Sequence, residues 1–152
     1  MFEALANGDP TERLQAIQGG AGYFKVARNF PTSFDVDRGH ERLAPVRDAL
    51  ERYRSTRPSE STVPNVVAKL RAELGAPYGG GDRLSAATKL LWLMHRAPVI
   101  IYDFQAREAL GGRGGDYDNF VELWREFQSV WAEYRPWSPG SPGARAWGAQ
   151  GA

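Results

Sequence analysis

The sequence predicts an all-α protein, a compact bundle of about six helices followed by a tail rich in proline and glycine. Apolar residues recur three or four positions apart along most of the chain, and Gly, Pro, Ser and Asp separate these periodic segments. The β-branched run VIIY at 99–102 is too short to form a sheet alone. With 42% hydrophobic residues in 152, the chain can bury one ordinary core, so we expect one helical domain over 1–135 and a disordered tail over 136–152.

The first predicted helix covers residues 9–20, because Asp9 suits an N-cap, Pro10 suits the first helical position and Gly19 supplies a stop. Residues 21–35 have no clean period, which indicates a short helix or an irregular segment. The next helix has one apolar stripe and is predicted to be interrupted or bent near Pro45. The residues of this stripe are Leu43, Val46, Leu50 and Tyr53.

A further helix is predicted between a cap at Ser61 or Thr62 and a stop at Gly75. Its apolar face consists of Val63, Val66, Val67, Leu70 and Leu74. Three glycines then form a turn, YGGGD, whose backbone can adopt geometries that other residues resist. The most regular apolar helix covers about 83–95, with an apolar stripe at Leu84, Ala87, Leu91 and Met94. A short link leads from it to a helix capped by Asp103 and ended by Gly111. The last helix, 116–134, has aromatic residues at strict helical spacing, which favours a core position.

Composition excludes several classes of function. The chain has no cysteine and only two histidines, His40 and His95, so neither a thiolate site nor a histidine metal cage is expected. No apolar segment is long enough to cross a membrane, and the N-terminus does not resemble a leader. We therefore expect a cytoplasmic protein without metal, cofactor or membrane partner.

The net charge of +1 argues against strong, sequence-independent binding to nucleic acid. Between Arg38 and Arg71, however, eight basic residues stand against four acids. This stretch is either a solvated helix face or a patch that faces phosphates. In the second interpretation Arg47, Arg52 and Arg54 would contact a nucleic-acid backbone.

One of only three lysines lies inside the most apolar predicted helix. Lys89 shares a helical line with Ser85, Trp92 and Arg96, apart from the apolar stripe. Partial burial and the cation of Arg96 would favour its neutral, nucleophilic form. Asp103 would be held ionised at a helix N-terminus. Such a pair suits attack on a C–N glycosidic bond, because the carboxylate stabilises an oxocarbenium-like transition state.

The order of glycine turn, lysine-bearing helix, proline connector and the segment ATKLLWLMHRAPVIIYD resembles the helix-hairpin-helix DNA glycosylases, particularly the 8-oxoguanine type. It is also similar to the signature SK-L…P-IYD of small bacterial glycosylase-like proteins. The resemblance covers about residues 78–112. It implies a glycosylase-like helical core, Lys89 as the nucleophile that forms a Schiff base, and Asp103 as the assisting carboxylate. Where the family usually has an L-P-G-V-G hairpin that binds DNA phosphate, this chain has Gly80 and Gly81 in a glycine run.

A glycosylase would have to extrude its base from the duplex. The candidate substrate-binding residues, including stacking surfaces, are Ser85, Trp92, Arg96, Tyr102, Tyr23 and Phe24. Three hypotheses remain open: a DNA-repair glycosylase with or without lyase activity, a non-catalytic nucleic-acid-binding relative, and a small helical interaction module of a bacterial defence or toxin system. The last would use the aromatic helix 116–134 as its interface. The sequence indicates neither the base nor the oligomeric state.

Overall fold

The structure, a computed structural model, describes residues 2–30 and 42–134, and all regular secondary structure within these ranges is helical. The all-α prediction is confirmed. The α-helices in the described ranges are α1 (Phe2–Asn7), α2 (Pro10–Tyr23), α3 (Ala44–Glu51), α4 (Val63–Gly75), α5 (Leu84–Met94), α6 (Phe104–Ala109) and α7 (Tyr117–Tyr134). Two single 3-10 turns, Ala27–Asn29 and Ala76–Tyr78, follow α2 and α4.

The chain divides into two compact units, Met1–Phe104 and Gln105–Ala152. The first contains α1 to α5 and the second contains α7, each described below by itself. The expected disordered tail, 136–152, lies outside the described residues, as do Arg38 and His40. No helix among the described residues is long and apolar enough to cross a membrane.

The start of α2 follows the sequence prediction. The Asp9 carboxylate accepts hydrogen bonds from the backbone N–H groups of Thr11 (2.8 Å) and Glu12 (2.9 Å), and the Glu12 carboxylate accepts one from Asp9 N–H (2.9 Å). This reciprocal capping box satisfies donors that the first turn leaves open. The predicted end at Gly19 is wrong, since the helix continues to Tyr23. Gly20 and Ala21 are buried, so tertiary packing outweighs the cost of glycine within a helix.

Of the two predicted effects of Pro45, an interruption or a bend, the structure shows no bend, because α3 begins beside the proline. It lies in the first turn of α3, where its missing N–H costs no helical hydrogen bond. The predicted apolar stripe is nevertheless buried, from Leu43 through Val46 and Leu50 to Tyr53. On α4, four of the five residues of the predicted face are likewise buried, namely Val63, Val67, Leu70 and Leu74, and Val66 is half-buried. Helical periodicity therefore identified the core face of both helices.

Helix α5 is the central element of the first unit and packs against α1, α2 and α4. Apolar residues on several sides of it are buried, as expected for a helix surrounded by others; these are Leu84, Ala86, Ala87, Leu90, Leu91 and Leu93. Lys89 is the only charged residue in its sequence, LSAATKLLWLM. The position of α5 therefore puts one amine at the edge of the core.

Helix α7 dominates the described part of the second unit. Its first turns are buried at Tyr117, Phe120 and Val121, whereas Phe127, Val130 and Trp131 are exposed. The prediction that the aromatic stripe belongs to the core is therefore right for the first half of the helix and wrong for the second. Periodicity identifies an apolar face, but it contains no information on how far along the helix that face is covered.

Candidate functional site

Lys89 and Asp103 form an ion pair in the first unit. Lys89 Nζ lies 3.5 Å from Asp103 Oδ2, with side-chain exposures of 13% for the lysine and 45% for the aspartate. The lysine stem is thus embedded beside the apolar core, and its ammonium faces a carboxylate that solvent reaches. The carboxylate therefore balances the charge of an ammonium that is largely removed from water.

The fully buried hydroxyl of Thr88 connects α5 to the chain segment that carries Asp103. Thr88 Oγ1 accepts a hydrogen bond from Tyr102 N–H (3.1 Å) and donates to the carbonyl of Leu84 (3.2 Å) or Ser85 (3.3 Å). Because Thr88 precedes Lys89 and Tyr102 precedes Asp103, this bond holds the backbones of the ion pair side by side. Thr88 was not predicted from the sequence, although it is one of only two hydroxyl side chains in an apolar helix, with Ser85, and that was a usable signal.

An aromatic row extends from α5 to the end of α2. The ring of Trp92, one helical turn after Lys89, meets Phe24 edge to face at 6.1 Å, and Phe24 meets Tyr23 in the same way at 5.1 Å. The Arg96 guanidinium lies 5.7 Å from the Trp92 ring centre, within the range of a cation–π interaction. The structure thus brings together four of the substrate-binding residues predicted from the sequence.

The remaining predicted substrate-binding residues differ in accessibility. Ser85 is half-buried on α5. Tyr102 is buried, so its ring has no open face on which a base could stack; its backbone N–H instead bonds Thr88. The aromatic rings of Tyr23, at the end of the aromatic row, and of Phe104, next to Asp103 in the sequence, are exposed. Phe104 directly follows Asp103 and was not singled out from the sequence.

The predicted phosphate-binding arginines are all paired with acids. Arg47 contacts Asp48 at 2.9 Å, Arg52 contacts Glu73 at 2.8 Å and Arg54 contacts Glu51 at 3.0 Å. These carboxylates reduce the local positive charge, and any phosphate would compete with them. That the three arginines contact nucleic acid stays a prediction.

The glycine turn after α4 has the unusual backbone expected of it. Gly79, Gly80 and Gly81 all have positive φ, at 74°, 84° and 90°, which only glycine adopts easily. At the end of the turn, the Asp82 carboxylate accepts a hydrogen bond from Leu84 N–H (2.8 Å) and pairs with Arg71 (3.0 Å). The Asp82 carboxylate therefore satisfies the first backbone N–H of α5, at the start of the lysine-bearing helix.

A separate cavity of about 360 Å³ lies near the end of α5. The described residues that line it are Leu5, Glu51, Arg54, Ser55, Met94 and His95. Only Arg54 among them was singled out from the sequence, and neither Lys89 nor Asp103 contributes to the lining. Across residues 2–30 and 42–134, no group of three or more His, Asp or Glu side chains is arranged to hold a metal ion.

Comparisons of the chain with protein-family models, with curated proteins and with solved structures find no match.

Proposed function

We propose that this chain is a DNA-repair-type glycosylase, with an associated lyase activity, that acts on a modified base flipped out of the duplex. The observation that carries the proposal is the contact between Lys89 Nζ and Asp103 Oδ2 at 3.5 Å. It joins a largely buried amine to a half-exposed carboxylate. The resemblance of the segment ATKLLWLMHRAPVIIYD to helix-hairpin-helix glycosylases assigns a nucleophile and an assisting carboxylate to these same two residues.

In the proposed reaction, Asp103 accepts a proton from the Lys89 ammonium and leaves a neutral amine. The lone pair of the amine forms a bond to the sugar carbon C1′. The glycosidic C–N bond breaks, and its electron pair leaves with the base, which takes the proton that Asp103 has accepted. The Asp103 carboxylate thereby regains its negative charge, which stabilises the oxocarbenium character of the transition state. A proton then moves from the attached nitrogen to the ring oxygen O4′, the C1′–O4′ bond breaks, and the protonated Schiff base forms from which strand cleavage can proceed.

The surrounding side chains have chemistry that suits a flipped nucleotide. The exposed ring of Tyr23 rests on Phe24, which in turn contacts Trp92, and aromatic faces stack on bases of any identity. Arg96 is exposed and carries a guanidinium suited to phosphate. Because the net charge is only +1, we expect modest affinity for DNA and a small number of phosphate contacts.

The test is borohydride trapping with oligonucleotides that contain abasic sites or a range of modified bases. Wild-type protein should give a covalent complex, and Lys89→Ala should abolish it. Lys69→Ala is the matched control, since Lys69 is an exposed lysine on α4, and it should trap as well as wild type. Asp103→Asn should slow trapping by about 10²-fold or more, the usual loss when an electrostatic stabiliser of a transition state is removed.

Base release should be measured in parallel by alkaline cleavage of the same oligonucleotides. Release without trapping would identify a glycosylase that lacks lyase activity, and it would contradict a covalent role for Lys89. Absence of both would leave the non-catalytic alternative. In that case oligonucleotide binding should weaken when Arg47, Arg52 and Arg54 are neutralised together.

A helical interaction module is the second candidate function. It is favoured by the exposed apolar side chains Phe127, Val130 and Trp131 on α7, since exposed aromatic clusters are characteristic of protein contacts. This candidate predicts that substitutions of the exposed apolar residues on α7 weaken binding to a protein partner, whereas Lys89→Ala does not.

A further inference from the structure

The second half of α7 exposes a continuous apolar face, which we call the α7 aromatic face: Trp124, Phe127, Val130 and Trp131. Its last three residues have exposures of 43%, 46% and 54%. The rings of Trp124, Phe127 and Trp131 are in contact, with centre distances of 6.1 and 6.3 Å. The rings of this face therefore contact one another, but their outer surfaces remain exposed to water.

The size of the α7 aromatic face argues against a second copy of the chain as its cover. Aromatic side chains bury about 150–250 Å² each when fully covered, so two half-exposed rings and a valine offer roughly 300 Å². A stable complex needs about 800 Å² from each partner. A segment of the same chain needs much less, because its effective concentration is about millimolar when the connection is short.

The chain continues directly from the end of α7 into a segment whose sequence fits such a surface. Residues 136–145 read PWSPGSPGAR, with Pro136, Pro139, Pro142 and Arg145 spaced three apart. Three is the repeat of the polyproline II helix, so these four residues would share one of its edges. Aromatic surfaces are the usual binding sites for proline-rich segments of this spacing.

The length and the charge of this segment also match the α7 aromatic face. Ten residues of polyproline II extend roughly 30 Å, whereas residues 124–134 of α7 extend only about 15 Å, so the segment can turn back and still cover the face. Residues 135–152 contain two arginines and no acid. Glu126 and Glu133, both exposed, lie four residues before and three after Val130, and therefore border the face.

We propose that residues 136–145 form an intramolecular ligand for the α7 aromatic face. The three prolines pack on the rings of Phe127 and Trp131, and Arg145 pairs with the Glu126 and Glu133 carboxylates. This cover does not depend on the chemistry at Lys89. It would shield the α7 aromatic face from water and so reduce non-specific association with other proteins.

Because the chain contains no cysteine, a single spin label can be placed in the full-length protein at Ala144→Cys. When the labelled chain is also enriched in ¹⁵N, the spin label should strongly attenuate the backbone amide signals of residues 124–134. A second sample mixes spin-labelled ¹⁴N chain with cysteine-free ¹⁵N chain. Attenuation there should be absent at the same total concentration, because the contact is within one molecule.

Two substitutions test the contacts. Trp131→Ala should reduce the ratio of docked to undocked segment by about three- to tenfold, as expected for loss of one aromatic contact. Arg145→Glu should also reduce it, and Glu133→Arg in the same chain should restore part of the loss. Arg113→Glu is the matched control, an exposed arginine of the second unit outside α7, and it should have no effect.

Attenuation within the labelled chain that responds to these substitutions supports the proposal. Attenuation of residues 124–134 in the mixed sample as well as in the labelled chain would mean that the face binds a second copy, and it would overturn the proposal. No attenuation in either sample would overturn it as well.

Discussion

Helices α5 and α7 are both rich in apolar residues, yet they use them differently. On α5, helices pack from several sides and almost every apolar side chain is buried. On α7, burial ends after Val121, although the aromatic repeat continues beyond it. Where packing surrounds a helix, a single polar side chain must find a partner, and Thr88 and Lys89 have done so. Where packing ends, apolar side chains are left available for another segment.

The largest difference between the helices should appear in stability. Leu91 has no exposed surface, so Leu91→Ala should lower the free energy of unfolding by about 2–5 kcal/mol. Urea unfolding monitored by circular dichroism measures the change. Leu91→Met, which conserves volume, is the control and should cost less than about 1.5 kcal/mol. Equal effects of the two substitutions would show that α5 is less tightly packed than its burial implies.

The surroundings of α5 can also be weakened by pH alone. Burial, together with the hydrogen bond that Tyr53 donates to Glu73 (2.8 Å), raises the pKa of Tyr53 to about 12. Burial likewise raises the pKa of Tyr78 to about 12. The unfolded chain releases these protons near pH 10, so unfolding releases protons between pH 10 and 12.

The free energy of unfolding should therefore be insensitive to these groups below pH 10 and fall as the pH rises to 12. The loss should be roughly 2–3 kcal/mol for Tyr53, because its pKa is about 12 in the folded chain and near 10 in the unfolded one. Urea titrations at several alkaline pH values measure it. In Tyr53→Phe the slope between pH 10 and 12 should be shallower than in wild type, and an unchanged slope would exclude Tyr53 as its source.

Substitution of Thr88 tests whether the buried hydrogen bond between its hydroxyl and Tyr102 N–H is needed for stability and for trapping. Thr88→Val leaves the buried Tyr102 N–H without its acceptor, which should cost about 1–3 kcal/mol. Thr88→Ser keeps the hydroxyl and should retain part of that energy. Trapping rates should follow the same order, because the hydrogen bond holds the segment before Asp103 against α5. If Thr88→Val lowers stability but trapping is unchanged, the tie has no role in positioning the ion pair.

The sequence predicted the faces of these helices better than their surroundings. Leu91 and Val67 follow from helical spacing, and the Asp9 cap follows from local hydrogen-bonding chemistry. The end of α2 could not be predicted from the local sequence, because the burial of Gly20 and Ala21 depends on distant segments. For the same reason, spacing alone put Lys89 on a separate face, and only the family resemblance pointed that face toward Asp103. The tie through Thr88 is a long-range contact that no local pattern reveals.

Removing the charge of Asp103 should have a smaller effect on folding than on trapping. Asp103→Asn leaves Lys89, with 13% of its side chain exposed, beside a neutral amide. Because nearly half of the aspartate is in water, the pair should contribute only about 1 kcal/mol or less. Thermal unfolding at low and high salt measures this. A large loss of stability would mean that the ion pair mainly stabilises the fold. A small loss of stability with a large defect in trapping would favour a catalytic role for the pair.

The smallest effect is expected on the exposed half of α7. Val130 is already 46% exposed, so Val130→Ala should change the free energy of unfolding by no more than about 0.5 kcal/mol. The same change at Val121, which is buried on the same helix, is the matched control and should cost more. Binding of a hydrophobic dye, compared between wild type and Trp131→Ala, then measures how much of the face solvent reaches. If Val130→Ala costs as much as Val121→Ala, another segment packs on Val130 itself and not only on the rings of Phe127 and Trp131, and the contrast in burial with α5 does not hold at this position.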